Sequence, residues 1–267
     1  MGIVNVTPDS FSDGGVFAAP EDAVEHGLAL LEAGAHVLDV GGESTRPGAP
    51  EIEEEEELDR VLPVIEQLAR ETDAPISVDT RKSSVARAAL EAGASIVNDV
   101  SAGLHDPELF STAAHFDAEL VLMHMKGTPD TMQDAPAYID APSEVTAFLR
   151  RRVRAALDEG IALERIAIDP GIGFGKRLSD NLALLRELGS LRSLGPAVLI
   201  GLSRKSFLGI LSGETDAGRR DPETLAATAL AAFLGADVHR VHDAGGARRA
   251  LAVADALSPF ELTREST

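Results

Sequence analysis

Short apolar runs alternate with longer amphipathic segments along the whole chain. Gly2–Val6, His36–Val40, Ile76–Asp79, Ser95–Asn98, Glu119–His124, Arg165–Asp169, Ala197–Gly201 and Asp237–His242 are short, largely apolar and bounded by turn residues, the pattern of strands in a parallel sheet. Between and after them, segments at 20–33, 53–71, 82–92, 107–115, 143–159, 179–190, 222–234 and 246–256 carry the apolar spacing of helices. Pro20-Glu21-Asp22 and Asp221-Pro222-Glu223 place proline and acids in first turns, where the helix dipole favours them. Gly34, Gly93 and Gly235 stand where left-handed helix caps are needed. Strand and helix alternating eight times predict one closed (β/α)8 TIM barrel over 1–267, because a doubly wound open sheet usually has about five or six strands.

Such a barrel has a ligand-facing rim at the carboxyl ends of its strands, and polar residues collect at all eight of those ends. Asn5, Thr7, Asp9, Ser12 and Asp13 follow the first strand, and Asp39, Glu43, Ser44, Thr45 and Arg46 close or follow the second. Asp79, then Asn98 and Asp99, then His124 and Lys126, then Asp169 mark the next four. Ser203, Arg204 and Lys205, and finally Arg240, His242 and Asp243, complete the ring, the distribution expected of a barrel active site. On the eighth strand Arg240 and His242 share one face and His239 and Val241 the other. With Arg46, Arg204 and Lys205 they predict a basic patch for an anionic group such as phosphate. Asp79, Asn98 and Asp169 predict the opposite below it, a floor that reads the N–H edge of a flat polar ring. The acidic run Glu53–Glu57 reads as a solvated helix start.

Composition removes several alternatives. The chain has 267 residues, no cysteine and lysine only at 82, 126, 176 and 205, so disulfides and thiolate chemistry are excluded. A net charge of −20 argues against nucleic acid or anionic membrane as partner, and an acidic surface of this kind suits a salty cytoplasm. No apolar run approaches the ~18 residues of a membrane helix and no signal-peptide layout opens the chain, so a cytoplasmic protein is expected. Met1 opens directly into the first strand, which predicts a missing lead-in beneath the barrel. Glycines 171, 173 and 175 do not have dinucleotide spacing, and Lys176 lacks the following Ser or Thr of a nucleotide loop. The histidines form no zinc-hydrolase set.

Gly2-Ile-Val-Asn-Val-Thr-Pro-Asp-Ser-Phe-Ser-Asp-Gly-Gly15 and Asp39-Val-Gly-Gly-Glu-Ser-Thr-Arg-Pro-Gly48 resemble the first two signatures of the dihydropteroate synthase family. Ser77-Val-Asp-Thr80, Asn98-Asp-Val100, Leu122-Met-His-Met125, Asp169-Pro-Gly-Ile-Gly-Phe-Gly-Lys176, Ser203-Arg-Lys-Ser206 and Arg240-Val-His242 continue the resemblance in family order. It implies a homodimeric enzyme that joins a dihydropterin methyl diphosphate to 4-aminobenzoate, diphosphate leaving before the arylamine attacks. By the same resemblance, Asp79, Asn98, Asp169 and Lys205 hold the pterin with Met123 beside it, and Asn5 helps bind Mg²⁺. Thr45, Arg46, Arg240 and His242 take the diphosphate, Asp13 stands near the developing cation, and Pro47, Phe174, Ser203 and Lys205 frame the aminobenzoate. The dimer would use the alanine- and leucine-rich helix Thr224–Leu234. Loops 7–19 and 41–52 are expected to be disordered without ligand and to close over it. A tetrahydropterin-dependent methyltransferase would share the floor without needing the diphosphate site, and a non-catalytic pterin-binding paralogue would be expected to lose Asp13 or Arg46.

Overall fold

The computed structural model describes residues 1–7, 20–45 and 48–257. Eight parallel strands follow one another around a single sheet: β1 (Gly2–Asn5), β2 (Leu38–Gly41), β3 (Ile76–Asp79), β4 (Ile96–Asp99), β5 (Glu119–Met123), β6 (Ile166–Asp169), β7 (Ala197–Gly201) and β8 (Val238–Arg240). Val241 closes the ring. Its carbonyl accepts from Ile3 N at 3.0 Å and its N–H donates to Met1 O at 3.0 Å. The last strand therefore leaves β7 at Arg240 and does not run to His242 as the sequence suggests, because Val241 pairs with the first strand.

Helices cover the outside: α1 (Pro20–Glu32), α2 (Glu54–Glu71), α3 (Ser83–Glu91), α4 (Leu109–His115), α5 (Ala141–Asp158), α6 (Leu178–Arg186), α7 (Ser206–Ser212), α8 (Asp221–Phe233) and α9 (Ala244–Leu257). Short α7, between β7 and α8, is absent from the sequence expectation. Local signals otherwise hold: Asp140 caps α5 by accepting from Ser143 N at 3.3 Å, and Pro222 sits in the first turn of α8. Gly34, Gly93 and Gly235 all adopt positive φ, as expected of caps.

Period-two alternation sorts the strands into two faces. Val4, Leu38, Val40, Val78, Val97, Leu120, Leu122, Ile168, Val198 and Ile200 join the main core with the helices. Ile96, Val121 and Leu199 form a smaller cluster inside the barrel, with Met1, Val37, Ala167 and Val238 packed against it. Met1 thus fills part of the barrel floor. The inside is apolar at its lower level, and the next inward position toward the carboxyl end of most strands is polar or glycine. Among the described residues no helix is long and apolar enough to cross a membrane.

Candidate active site

Strand pairing brings the inward residues at the upper end of the barrel into one layer. Asn5 is level with Gly41, Gly41 with Asp79 and Asp79 with Asn98. Met123 is level with Asp169, and Gly201 with Arg240. Glycine at 41 and 201 keeps the layer open, since a Cβ on Gly41 would stand 3.3 Å from Asp79 Cβ. The polar groups of five strands therefore face one mouth.

One residue that the sequence placed on the rim without giving it a role organises this layer from below. Asp39 is fully buried, and its Oδ2 accepts from Arg240 Nε at 2.5 Å and from Asn98 Nδ2 at 3.1 Å. Arg240 also donates through Nη2 to Asp79 Oδ2 at 2.8 Å. The guanidinium thus bridges two floor acids, where the sequence pattern placed it only on an anion-binding lip. Burial works against the Arg240 charge, but Asp39 and Asp79 together hold its pKa above the ordinary value. Burial pushes Asp79 up to about 7 against the pull of Arg240, and the Asp39 charge adds to the rise.

Asp169 ends β6 almost fully buried, with Oδ1 accepting from Gly171 N at 2.7 Å. Burial raises its pKa, and the Lys205 ammonium opposes that. Lys205 donates to Ile172 O and lies over the Phe174 ring, 4.7 Å from its centroid, a cation–π contact. Its own pKa falls to about 8 through burial, with Asp169 resisting. Phe174 and Lys205, predicted to share a slot, are in contact. Ser203 Oγ lies 2.8 Å from His242 Nδ1 and accepts from His242 N at 3.2 Å, so these two predicted residues also meet.

Lys205 reaches the mouth because Arg204 turns away. Arg204 adopts φ 58°, a left-handed conformation that costs a non-glycine residue about 1–2 kcal/mol. Its Nε and Nη2 bind Asp221 at 2.8 and 2.9 Å, and its N–H donates to Thr224 Oγ1 at 3.0 Å. Arg204 therefore belongs to the α8 contact and not to the basic patch expected from the sequence.

The glycine loop after β6 is held from behind by Lys176, a residue the sequence left without a role. Its ammonium donates to the carbonyls of Gly171 at 2.8 Å, Phe174 at 2.9 Å and His124 at 3.1 Å, and lies 2.9 Å from His124 Nδ1. Burial lowers Lys176 to about 7, with Asp169 opposing. Burial and the adjacent Lys176 charge take His124 down to about 3, so the imidazole is neutral. Gly171 has φ 67° and a Cβ there would lie 1.9 Å from His124 O. Only glycine permits that approach. His124 is thus a buried support and not a ligand-facing base.

Met123 is buried inside the layer, and Asn5 and Thr45 are partly exposed. Asp13, Arg46 and Pro47 lie outside the described residues, as does the expectation for most of the loop at 7–19. The acidic run is an exposed helix start at Glu53–Glu56, as expected, but Glu57 departs from that reading: it is fully buried and accepts from Lys82 Nζ at 2.6 Å.

Residues 1–242 match the family described as pterin binding enzyme. The chain belongs to the pterin-binding enzyme family. Among its pterin-binding relatives, the dihydropteroate synthase of Synechocystis sp. is 45% identical over 257 residues, covering 96% of this chain and 89% of that one. That of Escherichia coli is 44% identical over 265 residues, covering 99% and 93%. The Xanthomonas albilineans dihydropteroate synthase structure with 4-aminobenzoic acid superposes with a TM-score of 0.90 at 50% identity, covering 97% of this chain and 92% of that one. The structure of the same enzyme with 7,8-dihydropteroate gives 0.87 at 47% identity, covering 97% and 93%.

Proposed function

We propose that this chain is a transferase that condenses a dihydropterin methyl diphosphate with 4-aminobenzoate to give dihydropteroate and diphosphate. The observation that carries this reading is the inward layer itself: Asp79, Asn98, Met123 and Asp169 share one mouth with Lys205, Arg240 and His242. The relatives' substrate and product complexes support the same pairing of ligands. Asp79 and Asp169 accept the N–H edge of the pterin, and Lys205 donates to a ring acceptor. Arg240, His242 and Thr45 supply donors where charge grows as the carbon–oxygen bond breaks and diphosphate leaves with the electron pair. The aminobenzoate nitrogen, held against Phe174 and Ser203, then adds to the methylene carbon and loses a proton to solvent. No nucleophilic side chain is required.

Asn5 fits the expected Mg²⁺ only as a minor ligand. Among the described residues no three His, Asp or Glu side chains cluster as a metal cage, and one amide oxygen suits a hard cation whose other ligands are waters and diphosphate oxygens. When bound, Mg²⁺ would neutralise charge on the leaving diphosphate. The assay is the release of diphosphate from both substrates together: equimolar dihydropteroate supports the proposal, and diphosphate without the coupled product contradicts it.

The pKa values set a pH dependence. Only ionised Asp79 can accept the pterin N–H edge without presenting an O–H to it, so below about 7 binding must expel a proton and the Kd should rise roughly tenfold per pH unit. Above about 8 Lys205 has lost its proton in the free protein, and binding that needs the ammonium takes one up and weakens. Calorimetry of pterin binding in buffers of different ionisation enthalpy should record proton release near about pH 6 and uptake near about pH 9. Heats independent of buffer at both would contradict the assignment.

A homodimer belongs to the same proposal. Ile210 and Leu211 on α7, Leu230 and Phe233 on α8 and Val253 and Leu257 on α9 leave large apolar side chains exposed on three adjoining helices. Leu230→Asp is expected to shift sedimentation toward a monomer; an unchanged dimer would place the interface elsewhere.

A further inference from the structure

The loop that follows β2 is fastened at both ends to two consecutive cations that follow the floor acid Asp79. At its start, Glu43 accepts from Arg81 Nη2 at 2.6 Å and from Lys82 Nζ at 3.1 Å, and its side chain is only 6% exposed. At its end, Ile52 O accepts from the same Lys82 Nζ at 2.8 Å, and Glu51 lies 3.7 Å from Arg81 and 3.3 Å from His105. Lys82 is anchored behind by fully buried Glu57, and Gly42 O accepts from Arg60 Nη1 at 2.7 Å. Thr45 stands between the two fastened ends, and Gly48 N donates to Pro129 O at 3.1 Å across to the loop after β5.

A buried ion-pair cluster is a poor way to gain stability, because desolvation offsets most of the attraction and an apolar cluster of equal volume does as well or better. Its distinctive product is geometry. The cations leave the barrel two and three residues beyond Asp79, so they tie the loop to the strand that carries a floor carboxylate.

Resting on the condensation proposed above, we infer that Glu43, Arg81 and Lys82 are positioning residues that fix the Thr45 segment over the mouth, and that they govern diphosphate departure and aminobenzoate capture but not pterin binding. Displacing a donor by about 1 Å costs on the order of a hundredfold in rate, so Glu43→Gln and Lys82→Met should lower kcat by about ten- to a hundredfold. The KM for aminobenzoate should rise, and the Kd for the pterin diphosphate, measured by calorimetry, should stay within about twofold. Lys82→Arg should recover most of the kcat lost in Lys82→Met. Hydrogen exchange in the substrate-free protein should speed up at Ser44, Thr45 and Gly48 in both variants while β3 stays protected.

Full activity with wild-type exchange in both variants would overturn the inference. So would losses in which kcat falls only with the folded fraction, or in which pterin affinity falls in step with kcat. Exchange does not depend on the reaction. If the wild-type protein makes no dihydropteroate, the condensation fails as a reading, and unchanged exchange at Thr45 would separately remove the fastening.

Discussion

Asp169→Asn should leave the protein at least as stable as the wild type and lower kcat/KM by about a thousandfold or more, a loss of about 4 kcal/mol in transition-state stabilisation. The two effects have opposite origins in one burial. Asp169 is almost fully enclosed at the end of β6, and burial raises its pKa despite Lys205. Removing a charge from such a place relieves a desolvation cost, so the melting temperature should hold or rise. Asparagine still accepts from Gly171 N, the bond that shapes the glycine loop at 2.7 Å in the wild type. Its amide, however, turns an N–H toward a ligand edge that also offers N–H groups, and a site built around hydrogen bonds rejects such a mismatch by factors of about 10⁴. Calorimetry with the pterin diphosphate and a melt on the same sample check both halves; wild-type turnover would show that Asp169 does not hold the pterin.

The second large effect falls on folding as well as on activity. Arg240→Leu removes the cation shared by Asp39 Oδ2 at 2.5 Å and Asp79 Oδ2 at 2.8 Å and leaves both carboxylates in the barrel interior. Breaking one side of a buried pair costs about 3–5 kcal/mol, which lowers the melting temperature of a chain of this size by about 10 °C. Asp39→Asn in the same chain should restore much of that stability by removing the deepest orphaned charge, yet activity should remain lost because the diphosphate donor is gone. A melt of the single and double variants decides it: equal destabilisation in both would mean that the Asp39 charge is not what Arg240 balances.

The barrel and the occupants of its mouth were legible because they depend on local alternation. Asp79 two residues after Ser77, Asp169 two after Ala167 and Arg240 two after Val238 each continue an inward face, and that spacing is visible in the chain. What stayed hidden depends on partners far apart in sequence. Arg240 reads as a free cation until β2 brings Asp39 beneath it. Glu57 looks like one more solvated acid in its run because nothing local announces that Lys82 arrives from the end of β3. Arg204 is adjacent to Lys205 and identical in charge sign, but a positive φ sends the two side chains in different directions. Lys176 had a local signal that could have been read: a lysine closing a loop with three glycines has several bare carbonyls within reach. Asp39 had one too, since it stands two residues before Gly41 on the same inward face.

A crystal structure with a pterin diphosphate bound is the decisive experiment. The ring's N–H edge should lie within about 3 Å of the Asp79 and Asp169 carboxylates, with the diphosphate toward His242 at the same mouth. A ring seated away from these carboxylates, or a diphosphate at the opposite end of the barrel, would contradict the proposed site.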